Sequence, residues 1–139
     1  MEYWKEINNK LKPWVDTELN KTVVDLFAGC GGLSLGFEAN GFKTIGYEMD
    51  ENASNTYNKN LLGECITGKL TPESIYPKAD IIIGGPPCQP FSVGGKQLGL
   101  KDSRDGFPIF LSAVRQLNPE VFLFENVRGK KKKNKWYLK

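Results

Sequence analysis

The stretch Lys21–Gly32, KTVVDLFAGCGG, constrains the fold more than any other part of the chain. A β-branched apolar run, Lys21–Phe27, breaks directly into a glycine-rich turn. The segment Leu33–Asn40 (LSLGFEAN) follows and closes on Asn40-Gly41. The turn and the stop signal favour a short helix over a second strand there. Glycines at such a turn let a ligand approach the backbone and leave N–H groups free at the start of the helix. The alternation then continues. Phe42–Tyr47 reads as a second strand, Asn52–Asn60 as a helix with Ala53 and Tyr57 on one face, and Glu64–Thr67 as a short third strand. Ala79–Ile83 is a continuous apolar run bounded by Gly84-Gly85-Pro86-Pro87, as expected of a strand buried on both faces. Pro90–Gly106 reads as a long loop. Pro108–Leu117 reads as a helix with Pro108 first and Ile109, Ala113 and Leu117 on one face, and Val121–Phe124 as a last, wholly apolar strand. Strands alternating with helices imply βαβ units and a parallel sheet.

Composition narrows the chemistry. The chain has 139 residues, 40% of them hydrophobic and 25% charged, which fits one domain with a real core. The absence of histidine removes Ser-His-Asp and Cys-His catalysis and the usual histidine metal sites. Cys30, Cys65 and Cys88 are widely spaced and odd in number, so a thiol protein of the cytoplasm is expected, with no disulfide framework and no metal. No apolar run approaches the roughly 20 residues of a membrane span, and Met1–Asn20 has no apolar core of a signal peptide. Three regions are expected: an extension over 1–20, one domain over 21–129 and a basic tail over 130–139. Seven basic residues and no acidic ones lie between Arg128 and Lys139. Such a tail could meet nucleic acid or simply be a solvated terminus.

Three motifs carry chemistry. The first is Asp25–Gly32 (DLFAGCGG) with Glu48 in Tyr47-Glu48-Met49-Asp50. An acidic residue about 20 positions beyond a glycine turn can hold ribose hydroxyls, although Ser34 stands where a dinucleotide fingerprint wants its third glycine. The bland alternative is a tight turn plus a helix-capping carboxylate. The second is Gly84–Ser92 (GGPPCQPFS), which puts Cys88 at the carboxyl end of a buried strand, where open α/β sheets place their sites. A free thiol needs a microenvironment that lowers its pKa, and an isolated cysteine is more often structural. A zinc deaminase needs P-C-x-x-C and H-x-E, and position 91 is Phe. The third is Phe124-Glu125-Asn126-Val127, whose carboxylate should share a sheet edge with Cys88. Taken alone, Glu125 reads as a strand-end cap.

Together these motifs resemble the DNA cytosine-C5 methyltransferase family. The matches run in family order: DLFAGCGG at 25–32, YEMD at 47–50, GGPPCQPFS at 84–92, SVGGKQLGLKDSRDG at 92–106 and RQLNPEVFLFENV at 115–127. The resemblance implies a Rossmann-like, S-adenosylmethionine-dependent sheet, here its first five strands in the order 3-2-1-4-5 out of a family order 3-2-1-4-5-7-6. It implies a cofactor site of Phe27, Gly29, Cys30, Gly31, Gly32, Glu48, Met49, Leu70, Gly85 and Pro87. Glu48 would hold the ribose hydroxyls and Met49 the adenine. It also implies that Cys88 attacks cytosine C6, Glu125 engages the ring near N3, Asn126 orients the loops, and the 92–106 loop closes over double-stranded DNA, in a restriction-modification context. The sequence departs from the family pattern at Gly68-Lys69-Leu70, where the family usually has Gly-Asp-Ile, so an acidic contact to the adenine amino group would be lost. The family's Gln-x-Arg-x-Arg element, its base-reading region and its last strands have no counterpart in these 139 residues. The expected partner is a C-terminal chain that supplies them. The alternative is a remnant that binds cofactor or DNA without turnover.

Overall fold

The structure is a computed structural model that describes residues 2–87 and 106–126. Cys88, most of the 90–106 loop and the 130–139 tail lie outside the described residues. Among the described residues four helices and five strands run in the order α1 (Tyr3–Lys10), β1 (Thr22–Leu26), α2 (Gly32–Glu38), β2 (Lys43–Glu48), α3 (Glu51–Asn60), β3 (Glu64–Thr67), β4 (Ile81–Gly84), α4 (Phe107–Leu117), β5 (Val121–Phe124). The strands form one sheet in the order β3-β2-β1-β4-β5, and every pairing is parallel. The chain therefore builds outward from β1 to β2 and β3, then returns to the other side of β1 for β4 and β5. Open α/β sheets bind ligands beyond the strand ends at such a reversal.

Strand alternation sorts the two faces of the sheet. Val24, Leu26, Tyr47 and Ile82 point to one face and form the main core with Phe110 and Ala113 of α4 and with Tyr76 and Ala79. The opposite face carries α2 and α3, where Tyr57 packs with Cys65 and Ala28. This second face is unusually polar. Asp25, Ser34, Glu38, Thr44 and Ser54 are all buried on it. Buried polar groups need partners, and these find one another. Glu38 accepts from Thr44 Oγ1 at 2.6 Å and from the backbone N–H groups of Leu62 and Gly63, both at 2.8 Å. One side chain thus ties the end of α2 to β2 and to the turn that launches β3. Thr44 Oγ1 also lies 2.7 Å from the Tyr57 hydroxyl.

The expected elements form, with three differences. The helix Tyr3–Lys10 was not anticipated within the 1–20 extension. It buries no residue. Beyond it the backbone N–H of Trp14 donates to Glu38 O, its indole N–H donates to Ala39 O, and Asp16 N–H donates to Gly41 O, so this segment is stitched to the end of α2. Helix α4 begins one residue early, at Phe107, and Pro108 follows inside the first turn. Its buried residues are Phe110 and Ala113, while Ile109 and Leu117 are half-buried. The core stripe is rotated because Phe122 and Phe124 of β5 stack edge-on against Phe110, at centroid distances of 6.2 and 5.1 Å. Among the described residues strand β5 is an edge, as expected. Val121 and Phe122 are each 57% exposed and Leu123 is 44% exposed. Among the described residues, no helix is long and apolar enough to cross a membrane.

Replacing Glu38 by alanine removes the acceptor of the buried Thr44 hydroxyl and of two part-buried N–H groups, those of Leu62 and Gly63. Each unsatisfied group costs about 1–3 kcal/mol, partly relieved by water, so Glu38→Ala should lower the unfolding free energy by about 3 kcal/mol. Urea denaturation measures it, and a loss below about 1 kcal/mol would show that the carboxylate is dispensable.

Candidate functional site

The site residues gather where β1, β2, β4 and β5 end. After Leu26 the chain turns through Phe27, Gly29 and Gly31, all at positive φ (61, 56 and 90°), before α2 begins at Gly32. A bulky residue at positive φ is strained, and Phe27 is the one such residue in the turn. Packing holds it there. Its ring, Pro86 and Pro87 all close on the Cα of Gly106, where an added Cβ would lie 2.6–3.1 Å from them. Phe27 thereby links the glycine turn to the Pro-Pro segment after β4 and to the start of α4. Gly31 faces inward, with its Cα against Tyr57 and Leu61, whereas Gly29 and Gly32 face open space. Cys30 is exposed.

Glu48, at the end of β2, grips the turn. Its Oε2 accepts the Gly29 N–H at 2.8 Å and its Oε1 accepts the Asp50 N–H at 2.8 Å. A carboxylate offers about four acceptor positions, so both oxygens keep one for an outside donor. A vicinal diol is the partner that fills two adjacent acceptors. Asp50 is not available for that task, because it caps α3 by accepting from Ala53 N–H. Met49 is 73% exposed beside Glu48 and offers an apolar surface. Leu70 packs on the core cluster that holds Tyr47 and Tyr76, which puts it near the same strand end. Lys69 is exposed.

Across the sheet, Glu125 leaves β5 with its N–H donating to Gly84 O at 2.9 Å. Its carboxylate crosses over Gly85, and a Cβ at Gly85 would lie 2.9 Å from Oε2. The Glu125 carboxylate therefore lies over Gly85, at the head of the Pro86-Pro87 segment that leads to Cys88. Pro86 is buried, and Pro87, Glu125 and Asn126 are exposed. The structure thus draws the sequence candidates into two groups on one edge: Phe27, Gly29 and Glu48 around the turn, and Gly85, Pro87 and Glu125 beside it. Among the described residues, no cluster of three or more Cys, Asp or Glu side chains is arranged to hold a metal.

One buried residue of β1, just before the turn, was given no role of its own from sequence. Asp25, 1% exposed, accepts from Ser34 Oγ at 2.7 Å through Oδ2, and its Oδ1 has no partner among the described residues. Burial pushes its carboxyl up to about 6, against the pull of the Ser34 hydrogen bonds and with a further push from Glu48. The fold therefore holds the proton more tightly than the unfolded chain does, from about pH 3.8 to 6. The stability this gives is full below that window and lost as pH rises through about 6. Ser34 was the legible signal. It stands where the third glycine of a dinucleotide turn would be, and it is there to reach Asp25. Burial likewise pushes the Tyr57 hydroxyl up to about 12.

Comparison with known proteins follows the same geometry. A family model described as C-5 cytosine-specific DNA methylase matches residues 21–138. The chain is 52% identical over 139 residues to the type II methyltransferase M.AplI of Arthrospira platensis, covering 99% of this chain and 40% of that protein. It is 37% identical to M.AquIA of Picosynechococcus, covering 80% of this chain and 50% of that protein. It is 41% identical to M.Eco47II of Escherichia coli, covering 78% and 27%. The chain thus spans half or less of these relatives. Among solved structures, the tRNA (uracil-54, C5)-methyltransferase of Pyrococcus abyssi shares the fold, with a TM-score of 0.56 at 18% identity over 89% of this chain and 27% of that one.

Two neighbouring glycines should respond differently to a methyl group. At Gly85 the obstacle is the tip of the flexible Glu125 side chain, whereas at Gly84 it is the Leu26 carbonyl, 2.5 Å from an added Cβ. Gly85→Ala should cost under about 1 kcal/mol and swing the Glu125 carboxylate away, while Gly84→Ala should cost about 2–3 kcal/mol by forcing backbone apart. Thermal melts and the Glu125 carboxyl NMR shift test this. Equal losses, or an unmoved carboxyl resonance in Gly85→Ala, would contradict the placement.

Proposed function

The chain belongs to the C-5 cytosine-specific DNA methylase family, and from that premise we propose that it carries the S-adenosylmethionine site and the attacking thiol of an enzyme that methylates C5 of cytosine in DNA, in a type II restriction-modification setting. The observation that carries this reading is the pairing on one sheet edge of Glu48, gripping the glycine turn at Gly29, with Glu125, lying over Gly85. One half suits a nucleoside cofactor. The other half suits a base, and Cys88 follows it by one residue beyond Pro87.

The residues divide the work as follows. Glu48 accepts the ribose hydroxyls with the lone pairs left free by Gly29 and Asp50. Met49 and Leu70 flank the adenine, and the backbone of Phe27, Gly29, Cys30, Gly31 and Gly32 lines the donor's other end. Gly85 and Pro87 form the wall between donor and base. S-adenosylmethionine supplies an electrophilic methyl group carried on a sulfonium. The Cys88 thiolate adds to C6 of a cytosine extruded from the duplex, which pushes an electron pair onto C5. Glu125 hydrogen-bonds near N3 and stabilises the charge that builds in the ring. The C5 electron pair takes the methyl group. Loss of the C5 proton to a base then breaks the S–C6 bond and returns the thiolate. Asn126 orients the loops around this centre.

The open edge of β5 fits the seat of further strands. An exposed apolar edge strand is otherwise a template for self-association. We assign those strands, and the region that reads bases in the major groove, to a C-terminal part of the enzyme, since relatives such as M.AplI extend well beyond the matched length. The basic residues 130–139 would add phosphate contacts, which position DNA without specifying sequence.

Covalent trapping tests the proposal. The chain is combined with a partner spanning the downstream part of M.AplI, with S-adenosylmethionine and with DNA containing 5-fluorocytosine, and the products are weighed by intact mass spectrometry. The wild type should form a protein–DNA adduct. Cys88→Ser should form none while keeping cofactor affinity within about twofold, because a hydroxyl is a far weaker nucleophile than a thiolate. No adduct from the wild type, with cofactor still bound, would favour a chain that binds without turnover. Turnover by Cys88→Ser would overturn the role of the thiol.

A further inference from the structure

We propose that Tyr57 is a positioning residue for the methyl donor: from α3 its buried ring props the glycine turn at Ala28 and Gly31 and holds it in the shape that receives the donor. The inference rests on the reading of that turn as the donor site.

The turn needs a prop. Phe27, Gly29 and Gly31 all have positive φ, a conformation that persists only when its surroundings enforce it. Helix α2, which starts from Gly31, has no side-chain cap to fix its entry. Packing against the Pro-Pro segment holds Phe27, and Glu48 holds Gly29. At Gly31 the restraint is Tyr57. A Cβ there would lie 2.7 Å from Tyr57 Cδ2 and 3.1 Å from both δ carbons of Leu61, so the ring already touches the turn. Ala28 packs in the same cluster, with Tyr57, Cys65 and Leu61.

The ring itself cannot retreat. Tyr57 is wholly buried, and its hydroxyl lies 2.7 Å from Thr44 Oγ1. Thr44 gives its own proton to Glu38, so Tyr57 donates and Thr44 accepts. Beside the hydroxyl, a Cβ at Gly46 of β2 would lie 2.8 Å from Tyr57 Cε2, so a glycine makes room for the ring there. One ring edge, Cδ2–Cε2, therefore spans from β2 to the glycine turn. The helix that carries the ring is tied down as well. The Asn58 side chain accepts from Cys65 N–H at 2.7 Å and donates to Cys65 O at 3.1 Å, which fastens α3 to β3. The hydroxyls of Ser54 and Thr67 add a contact of 2.7 Å between the same two elements. A planar ring fixed at both ends keeps its place, whereas a flexible side chain that fills the same space does not. A turn that holds its receiving shape only part of the time loses affinity in proportion to that fraction.

Titration calorimetry of the full chain with S-adenosylhomocysteine, paired with NMR of the Gly29, Gly31 and Gly32 amides, tests this. Tyr57→Phe keeps the ring and should bind within about twofold of wild type, with the glycine resonances in place. Tyr57→Met fills the space without a rigid ring. It should displace those resonances and bind about tenfold more weakly, the loss expected of a turn that holds its shape about a tenth of the time. Leu61→Ala, at a half-buried position and so milder for folding, removes the other contact on Gly31 and should weaken binding several-fold. Ile82→Val, in the core on the opposite face of the sheet, is the control for lost stability. It should lower Tm while leaving affinity and glycine resonances unchanged. Wild-type affinity in Tyr57→Met and Leu61→Ala, or an equal loss in Ile82→Val, would overturn the proposal while leaving the donor site intact. A wild-type chain that does not bind S-adenosylhomocysteine would overturn the donor-site reading and this inference together.

Discussion

Everything in this structure hangs on β1 being paired on both sides. It bonds to β2 through Thr22–Leu26 and to β4 through Val23–Leu26, so the chain must reverse its direction of growth around it. That reversal opens a crevice beyond the carboxyl ends of β1 and β4. Into it the sequence delivers a glycine turn from β1 and the Gly-Pro-Pro segment from β4. The packing of Phe27 with Pro86 and Pro87 at Gly106 then locks the two together. The site is thus a consequence of strand order, and its side chains are additions to it.

The face under α2 and α3 shows how a small sheet tolerates buried charge. Glu38 satisfies its carboxylate with three donors and acts as a structural clamp. Asp25, on the same face, leaves one oxygen without a partner among the described residues. The contrast is informative, because full satisfaction rigidifies a core, whereas partial satisfaction leaves a group poised to respond to charge. The first lies far along α2, and the second lies directly below the glycine turn.

Most of the sheet was legible because each strand is a short β-branched or apolar run with a glycine, proline or acidic residue at its end. The period of the pattern and those stops gave β1 to β5 to within about two residues. In α4, Ala113 and Leu117 do meet the core as read, but Phe110 takes the place given to Ile109, because both are apolar. Only the placement of Phe122 and Phe124 decides which of them faces the core. Helix α1 escaped notice because it is only eight residues long, mostly polar, and buries no residue. In the site, Glu48 and the turn were visible through spacing, whereas Asp25 looked like one polar residue in a strand. Its contact depends on Ser34 folding back nine positions later, of which the sequence shows only a serine in place of the third glycine.

The central claim is that Glu48 and the turn at Gly29 hold the donor on the same edge that carries Glu125. The most direct measurement is a crystal structure of the chain with S-adenosylhomocysteine. The account predicts the ribose hydroxyls on both oxygens of Glu48, the adenine against Met49 and Leu70, and the sulfur pointing toward Gly85 and Pro87. A ligand bound elsewhere, with Glu48 still engaged only by Gly29 and Asp50, would contradict it.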